Sequence, residues 1–215
     1  MMIAILALGF LYANLFKTDT RSFIPFLGIG FVIWGLISTS INDGCGAFIF
    51  NSALIRQIHL PFFFHIYRLL WRNVVIFLHN AVIIIGLLIY YEITPSLTTL
   101  MVMPGFVLLV MNLVWISLVL GMISARFRDV VMIVQNIVQV SFFITPINWK
   151  PEMLAERSYF NDFNPFFHAL EVVRAPLLGQ FPAKSFFVML IALVFGLIVT
   201  SVFYRRFQAR LAYWL

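Results

Sequence analysis

The chain has 215 residues, 63% of them hydrophobic and 10% charged, at a mean hydropathy of +1.02. Soluble domains run at about 45–50% apolar and about 25% charged, which excludes a water-soluble enzyme and implies an all-α integral membrane protein. The net charge of +6 sits in no basic run longer than two residues, a pattern of charged membrane faces and anionic head groups rather than of nucleic-acid binding. A single cysteine, Cys45, excludes a disulfide framework and a thiolate zinc cluster.

An apolar run of about 20 residues crosses the hydrocarbon core, and six candidate spans follow in order: residues 3–16, 23–41, 69–91, 100–123, 130–147 and 183–204. They make one transmembrane domain over residues 1–215. The first is short and follows Met1 and Met2 directly, without the charged start and small-residue cleavage site of a signal peptide. It is expected either to enter the membrane abruptly or to lack sequence in front of it.

Six spans put alternate connections on opposite sides. One side receives Arg56, Arg68, Arg72, Arg126, Arg128, Arg205, Arg206 and Arg210 against Asp43 and Asp129. The other receives Lys17, Arg21, Lys150, Arg157, Arg174 and Lys184 against Asp19, Glu92, Glu152, Glu156, Asp162 and Glu171, and is neutral. The arginine-rich side is expected in the cytoplasm.

The long outer segment, residues 148–182, carries helix signals. Asn164 suits an N-cap and Pro165 the first helical position, with Phe166, Leu170, Val173 and Leu177 on one stripe and Gly179 as the stop. Glu171 and Arg174, three apart, form a weak pair on the polar side. Residues 151–157 are expected as a second short helix, both lying at or dipping into the outer boundary.

Polar residues within spans are the informative ones. In the third span His65, Arg68, Arg72 and His79 fall within about 60° on a helical wheel, with Asn73 and Asn80 beside them. The stripe reads either as snorkelling arginines and helix-bridging amides or as a cationic approach for a phosphate-bearing substrate. In the fifth span Gln135, Gln139, Phe142 and Pro146 share a face, flanked by Asn136 and Phe143. That face suits either interhelical amide bonding or a path for sugars. The sixth span is apolar all round apart from Thr200 and Ser201 and is expected to face lipid. Asp43 is expected near the cytoplasmic boundary, without a mid-membrane partner. Cys45, beside glycines, reads as a small packing residue.

There is no phosphate-binding G-x-x-x-x-G-K-[ST] loop. His59, His65, His79 and His168 are not spaced as a metal cluster, and no Ser–His–acid set is suggested.

Residues 51–61, joining the second and third spans, are amphipathic, compact and closed by Pro61. A small residue followed by Leu54-Ile55-Arg56 and then a proline resembles the coupling loop of permeases in the type-2 exporter branch of the ATP-binding-cassette superfamily. Ser124-Ala125-Arg126-Phe127-Arg128-Asp129 is similar to the turn ending the fourth span in polysaccharide exporters. Phe142-Phe143-Ile144-Thr145-Pro146-Ile147-Asn148-Trp149 and Asn164-Pro165-Phe166-Phe167-His168, with the segment from Glu171 to Gly179, resemble their outer motifs.

The resemblance implies a homodimer of six-span subunits in a bacterial inner membrane, exporting an undecaprenyl-diphosphate-linked O-antigen or capsular glycan. ATP and Mg belong to a separate partner ATPase, and this chain carries no cofactor and no metal. Membrane lipids are further partners. Coupling residues are then Asn51, Leu54, Ile55, Arg56, Gln57, His59, Pro61, Arg126, Arg128 and Asp129. The substrate path takes Arg68, Arg72, His79, Gln135, Gln139, Phe142 and Phe143. An outer gate of short helices takes Trp149, Asn164, Pro165, Phe166, His168 and Arg174. Family members also start with an amphipathic interface helix and a longer first span, which residues 1–22 do not supply. The alternatives are a drug or small-lipid exporter of the same branch, and a membrane enzyme acting on lipid-linked sugars.

Overall fold

The computed structural model describes residues 1–15, 19–57, 60–151 and 159–215. All regular structure among them is helical: α1 (Met2–Leu15), α2 (Thr20–Phe50), α3 (Ser52–Gln57) and α4 (Phe62–Tyr90), then a 3₁₀ turn (Leu97–Met101) leading into α5 (Val102–Arg126). There follow α6 (Val130–Ile144), α7 (Tyr159–Asp162), α8 (Pro165–Leu177) and α9 (Ala183–Trp214).

Four stretches, Thr20–Phe50, Phe62–Tyr90, Leu97–Arg126 and Ala183–Leu211, are long and apolar enough to cross a membrane. The chain is a membrane protein. Helix α6, with 15 residues, reaches only about 22 Å at 1.5 Å per residue, short of the roughly 30 Å hydrocarbon core. Helix α1, with 14 residues, is shorter still. The expected fifth span, 130–147, therefore stops early as a helix, at the residue pair leading into Pro146. The residue before a proline is pushed into extended backbone, and Thr145 sits at ψ 137°.

Helix α2 is the axis of the bundle. It packs against α1, α4, α5, α6 and α8, and most of its length is buried. Its seam with α5 explains why. Lipid tails are as apolar as leucine, so helices in a bilayer associate through close packing rather than by escaping solvent. Ser40 and Gly44 of α2 face Ser117 and Gly121 of α5, each pair four residues apart. The Ser117 hydroxyl donates to the Ser40 carbonyl at 3.1 Å. A β-carbon on Gly121 would lie 2.8 Å from the Gly44 carbonyl oxygen, so only a glycine lets the two backbones meet. Cys45, next to Gly44 in the chain, is buried.

Helix α8 crosses α5 as closely: a β-carbon on Gly105 would lie 2.0 Å from the Val172 carbonyl oxygen. The boundaries of α8 follow the local chemistry. The Asn164 side chain accepts from the N–H groups of Phe166 (3.0 Å) and Phe167 (3.4 Å). At the far end Gly179 takes φ +83°, and the N–H groups of Gln180 and Gly179 close on the Ala175 and Pro176 carbonyls at 2.9 and 3.3 Å, a Schellman stop. His168, Ala169, Leu170 and Val172 through Pro176 are all buried against α2, α5 and α9, so α8 is packed into the bundle. The second expected outer helix, 151–157, lies outside the described residues apart from Pro151.

Every ion pair among the described residues joins charges assigned to the same side. Arg21–Glu92 (2.6 Å), Lys184–Asp162 (2.7 Å) and Arg174–Glu171 hold one end, and Arg72–Asp43 (2.6 Å) the other. Below, these are the balanced end and the arginine-rich end.

The α5–α8 crossing gives a direct test. Gly105→Ala is expected to lower stability by about 1–3 kcal/mol through overpacking, while Gly86→Ala on α4, with nothing within 4 Å of the new methyl, stays neutral or gains slightly from helix propensity. Thermal unfolding of the two variants in the same detergent compares them, and equal midpoints would contradict so close a crossing.

Candidate functional site

At the arginine-rich end, α2 turns through Asn51 directly into the six-residue helix α3. Ile55 is buried and fixes α3 to the bundle, Leu54 is half-buried, and Arg56 and Gln57 are exposed. Asn51 holds the corner, donating to the Ala47 carbonyl at 2.7 Å and accepting from Arg68 of α4 at 2.8 Å. Pro61 opens α4, its carbonyl accepting from the Phe64 N–H at 2.9 Å. His59 lies outside the described residues.

The third-span stripe splits in the structure. Arg68, Arg72 and His79 are exposed, whereas His65 is buried with neither ring nitrogen hydrogen-bonded. His65 thus belongs to the edge that turns into the bundle. Asp43, expected near a membrane boundary, accepts from Arg72 at 2.6 Å and from the buried Asn73 at 3.2 Å. Asn73 also reaches the Ser40 hydroxyl at 3.5 Å, so the polar cluster adjoins the α2–α5 seam. Arg126 ends α5 with its guanidinium 5.6 Å from the Trp214 ring and 5.8 Å from Phe127. Arg128 and Asp129, in the turn before α6, are exposed.

Helix α6 carries the amide stripe and is the least enclosed of the apolar helices, with Val138 its one buried residue. Gln135, Asn136, Gln139 and Phe143 are exposed. Phe142 turns inward and meets Phe31 edge-on at 5.5 Å and Trp34 at 5.9 Å. The α6 amides have no hydrogen-bond partner among the described residues, and in a bilayer such groups must face protein or water. Beside α6 lies a cavity of about 420 Å³ lined almost wholly by apolar side chains of α2, α5, α6, α8 and α9.

At the balanced end, Arg174 is wholly buried. Its Nη1 donates to the Pro146 carbonyl at 2.7 Å, and Nε and Nη2 donate to Glu171, Nε at 3.1 Å. The guanidinium lies 3.9 Å over the Phe26 ring. Burial pushes its pKa down and Glu171 pushes it back up. The expected weak surface pair is therefore a buried one, and Arg174 ties α8 to α2 and to the exit of α6.

The other expected gate residues gather around it. The Asn164 amide donates to the buried Thr145 hydroxyl at 3.0 Å, Phe166 packs edge-on against Trp34 at 5.5 Å, and Pro165 starts α8. His168 is buried with both ring nitrogens engaged, by the Ser185 hydroxyl at 2.9 Å and the Asp162 carbonyl at 3.0 Å. Trp149 is half-buried, its indole N–H 3.5 Å from the Phe143 carbonyl. A cleft of about 750 Å³ opens there, lined by Arg21, Lys150 and Lys184 together with Asp19, Asp162 and Glu171. No cluster of three or more metal-ligating side chains occurs among the described residues.

Two positions went unread in the sequence. Asn112, the lone amide in the α5 span, donates to the carbonyls of Leu108 (2.8 Å) and Met189 (3.2 Å) and accepts from Trp115 at 3.0 Å, joining α5 to α9. An isolated amide in an apolar run is the signal that points to it. Gly30 lies under Arg174, where a β-carbon would sit 3.4 Å from Nη1, and nothing local marks it.

No protein-family model and no curated protein matches the chain.

Removing the guanidinium tests the balanced end. Arg174→Met is expected to lose about 3–5 kcal/mol by stranding Glu171 and the Pro146 carbonyl, with Arg174→Lys recovering only part because an ammonium cannot make the same fork. Chemical unfolding in detergent measures both, and a loss under about 1 kcal/mol in Arg174→Met, below that range, would show that this contact does not hold the helices together.

Proposed function

We propose that the chain is the membrane subunit of an ATP-driven exporter that carries a lipid-linked polysaccharide across a bacterial inner membrane. In this reading two copies pair, the longer apolar segments that contain α1 and α6 complete six spans per subunit, and a separate ATPase, holding ATP and Mg, docks on the arginine-rich end. The chain itself performs no chemistry.

The observation that carries the reading is α3. A helix of six residues, set between two long apolar helices, keeps Ile55 inside and presents Arg56 and Gln57 outward. Its corner is tied to α4 through Asn51 and Arg68, so a push on α3 passes into α4 by a hydrogen bond rather than through a slack loop. Arg126, Arg128 and Asp129 stand at the same end and serve the same docking. The amides of Gln135 and Gln139 on the open face of α6, with Phe142 and Phe143 at its outer end, suit a chain of hydroxyls and pyranose rings moving past. Arg68, Arg72 and His79 supply positive or polar groups for the diphosphate. The buried Arg174 and its neighbours Asn164, Pro165, Phe166 and His168 hold the outer helix as a gate, with Trp149 nearby.

Co-purification in mild detergent from the native host is the first test, and a soluble ATPase in equal amounts is the expected result. Arg56→Glu should then leave insertion intact and reduce stimulated ATP hydrolysis and export severalfold. Unchanged export and hydrolysis in that variant would remove α3 from the coupling role.

The α6 face has its own test. Gln139→Trp is expected to abolish surface polysaccharide while the protein still inserts and binds the ATPase. Normal polysaccharide in that variant would make the amide face a packing surface instead of a path.

A further inference from the structure

We infer that the groove between the arginine-rich ends of α5 and α9 is a binding site for the head group of an anionic phospholipid. The groove, about 350 Å³, lies between Ile123 and Arg126 of α5 and one face of α9. That face is set by spacing: Phe203, Phe207, Arg210 and Trp214 recur at four, three and four residues, one stripe of a helix. The floor is therefore aromatic and aliphatic, and the polar groups in it are two guanidiniums.

Within the chain those guanidiniums have no acidic partner among the described residues. Neither Arg126 nor Arg210 has a carboxylate within ion-pair distance among the described residues, and Asp129, the nearest acid in sequence, pairs with neither. Arg126 instead lies beside aromatic rings, its guanidinium carbon 5.6 Å from the Trp214 ring centre and 5.8 Å from that of Phe127. A ring face takes no strong hydrogen bond, so the guanidinium N–H groups stay available to an oxyanion. Two positive charges in a pocket without a negative one call for an anion, and phosphodiester geometry suits a pair of arginines.

The source of the phosphate follows from where the groove lies. It sits at the ends of two helices that cross the bilayer, at the level where tryptophan and arginine mark the membrane–water boundary. Basic pockets between spans at this depth take lipid head groups. The inference needs only the membrane character of α5 and α9 and stands apart from the exporter reading.

The test presents the purified chain with equal parts of phosphatidylglycerol and phosphatidylcholine and counts retained lipid by native mass spectrometry. The expected preference for phosphatidylglycerol is about tenfold, falling to near parity in the double variant Arg126→Gln, Arg210→Gln. Arg205→Gln, off the groove face, removes the same kind of charge and should leave the preference intact. A preference unchanged in the double variant overturns the site. So does loss of bound phosphatidylglycerol to millimolar inorganic phosphate, which would mark a free-anion site. If the double variant misfolds, a photoactivatable phosphatidylglycerol on the unaltered chain decides: labelling of residues 122–127 and 203–214 supports the site. Equal labelling by a phosphatidylcholine analogue, or protection of those residues by a co-purified soluble protein alone, overturns it.

Discussion

Arg174 carries a full charge into a place that water does not reach, and the balanced end of the bundle is arranged around that burial. An ion taken out of water is tolerated only when its surroundings are complete. Here they come from separate parts of the chain: the carboxylate from Glu171 one turn earlier on α8, the carbonyl from Pro146 after α6, the ring from Phe26 on α2. Because each partner is needed at once, the positions of α8, α2 and the exit of α6 are fixed together. The Asn164–Thr145 bond at 3.0 Å repeats the tie between the start of α8 and the exit of α6. Helix α6 is thus clamped at its C-terminal end, while along its length it packs mainly against α2 and only slightly against α5.

The rest of the packing follows from the absence of a hydrophobic drive between helices in lipid. Where contact is to be tight, backbones must approach, and side chains must be small or mutually hydrogen-bonded. The α2–α5 seam takes the first route, through Ser40, Gly44, Ser117 and Gly121. The α5–α9 contact takes the second as well, with Asn112 reaching the Met189 carbonyl and Trp115 lying against Gly196. Helix α6 has neither device, and its amides are left facing outward. The difference between a helix built into the bundle and one built onto it is thereby a difference in residue size and amide placement.

What was legible in the sequence was local. Asn164-Pro165 and Gly179 bracket α8 because caps and stops are decided within a turn of the helix end. The sorting of charges by side survives because ion pairs form between groups at the same end. What was not legible depends on distant partners. Glu171 and Arg174 look like an exposed i, i+3 pair until Phe26 and Gly30, far earlier in the chain, close over them. A helical wheel places His65 with Arg68 and Arg72 but cannot say which edge of a 60° arc turns inward. The partners of Asp43, Arg72 and Asn73, lie on another helix and no local spacing points to them. The number of spans was the least secure reading, since hydropathy runs through Thr145 and Pro146 where the helix does not.

The two ends of the bundle differ in a way that length and hydropathy do not capture. At the balanced end Arg21 and Lys184 find carboxylates on neighbouring elements, Arg174 finds one on its own helix and Lys150 reaches the Ser22 hydroxyl, so that end is internally tied. At the arginine-rich end Arg72 takes Asp43 and Arg68 takes Asn51, and then the acceptors run short. Arg56, Arg128, Arg205 and Arg210 have no carboxylate partner among the described residues, and Arg126 and Arg206 rest on aromatic rings. A guanidinium at the membrane boundary without an internal acceptor looks outward, to water, to lipid phosphate or to another protein. The apolar helices set how deep each end lies in the bilayer, and the ratio of guanidiniums to acceptors decides which end is closed on itself and which is open to partners.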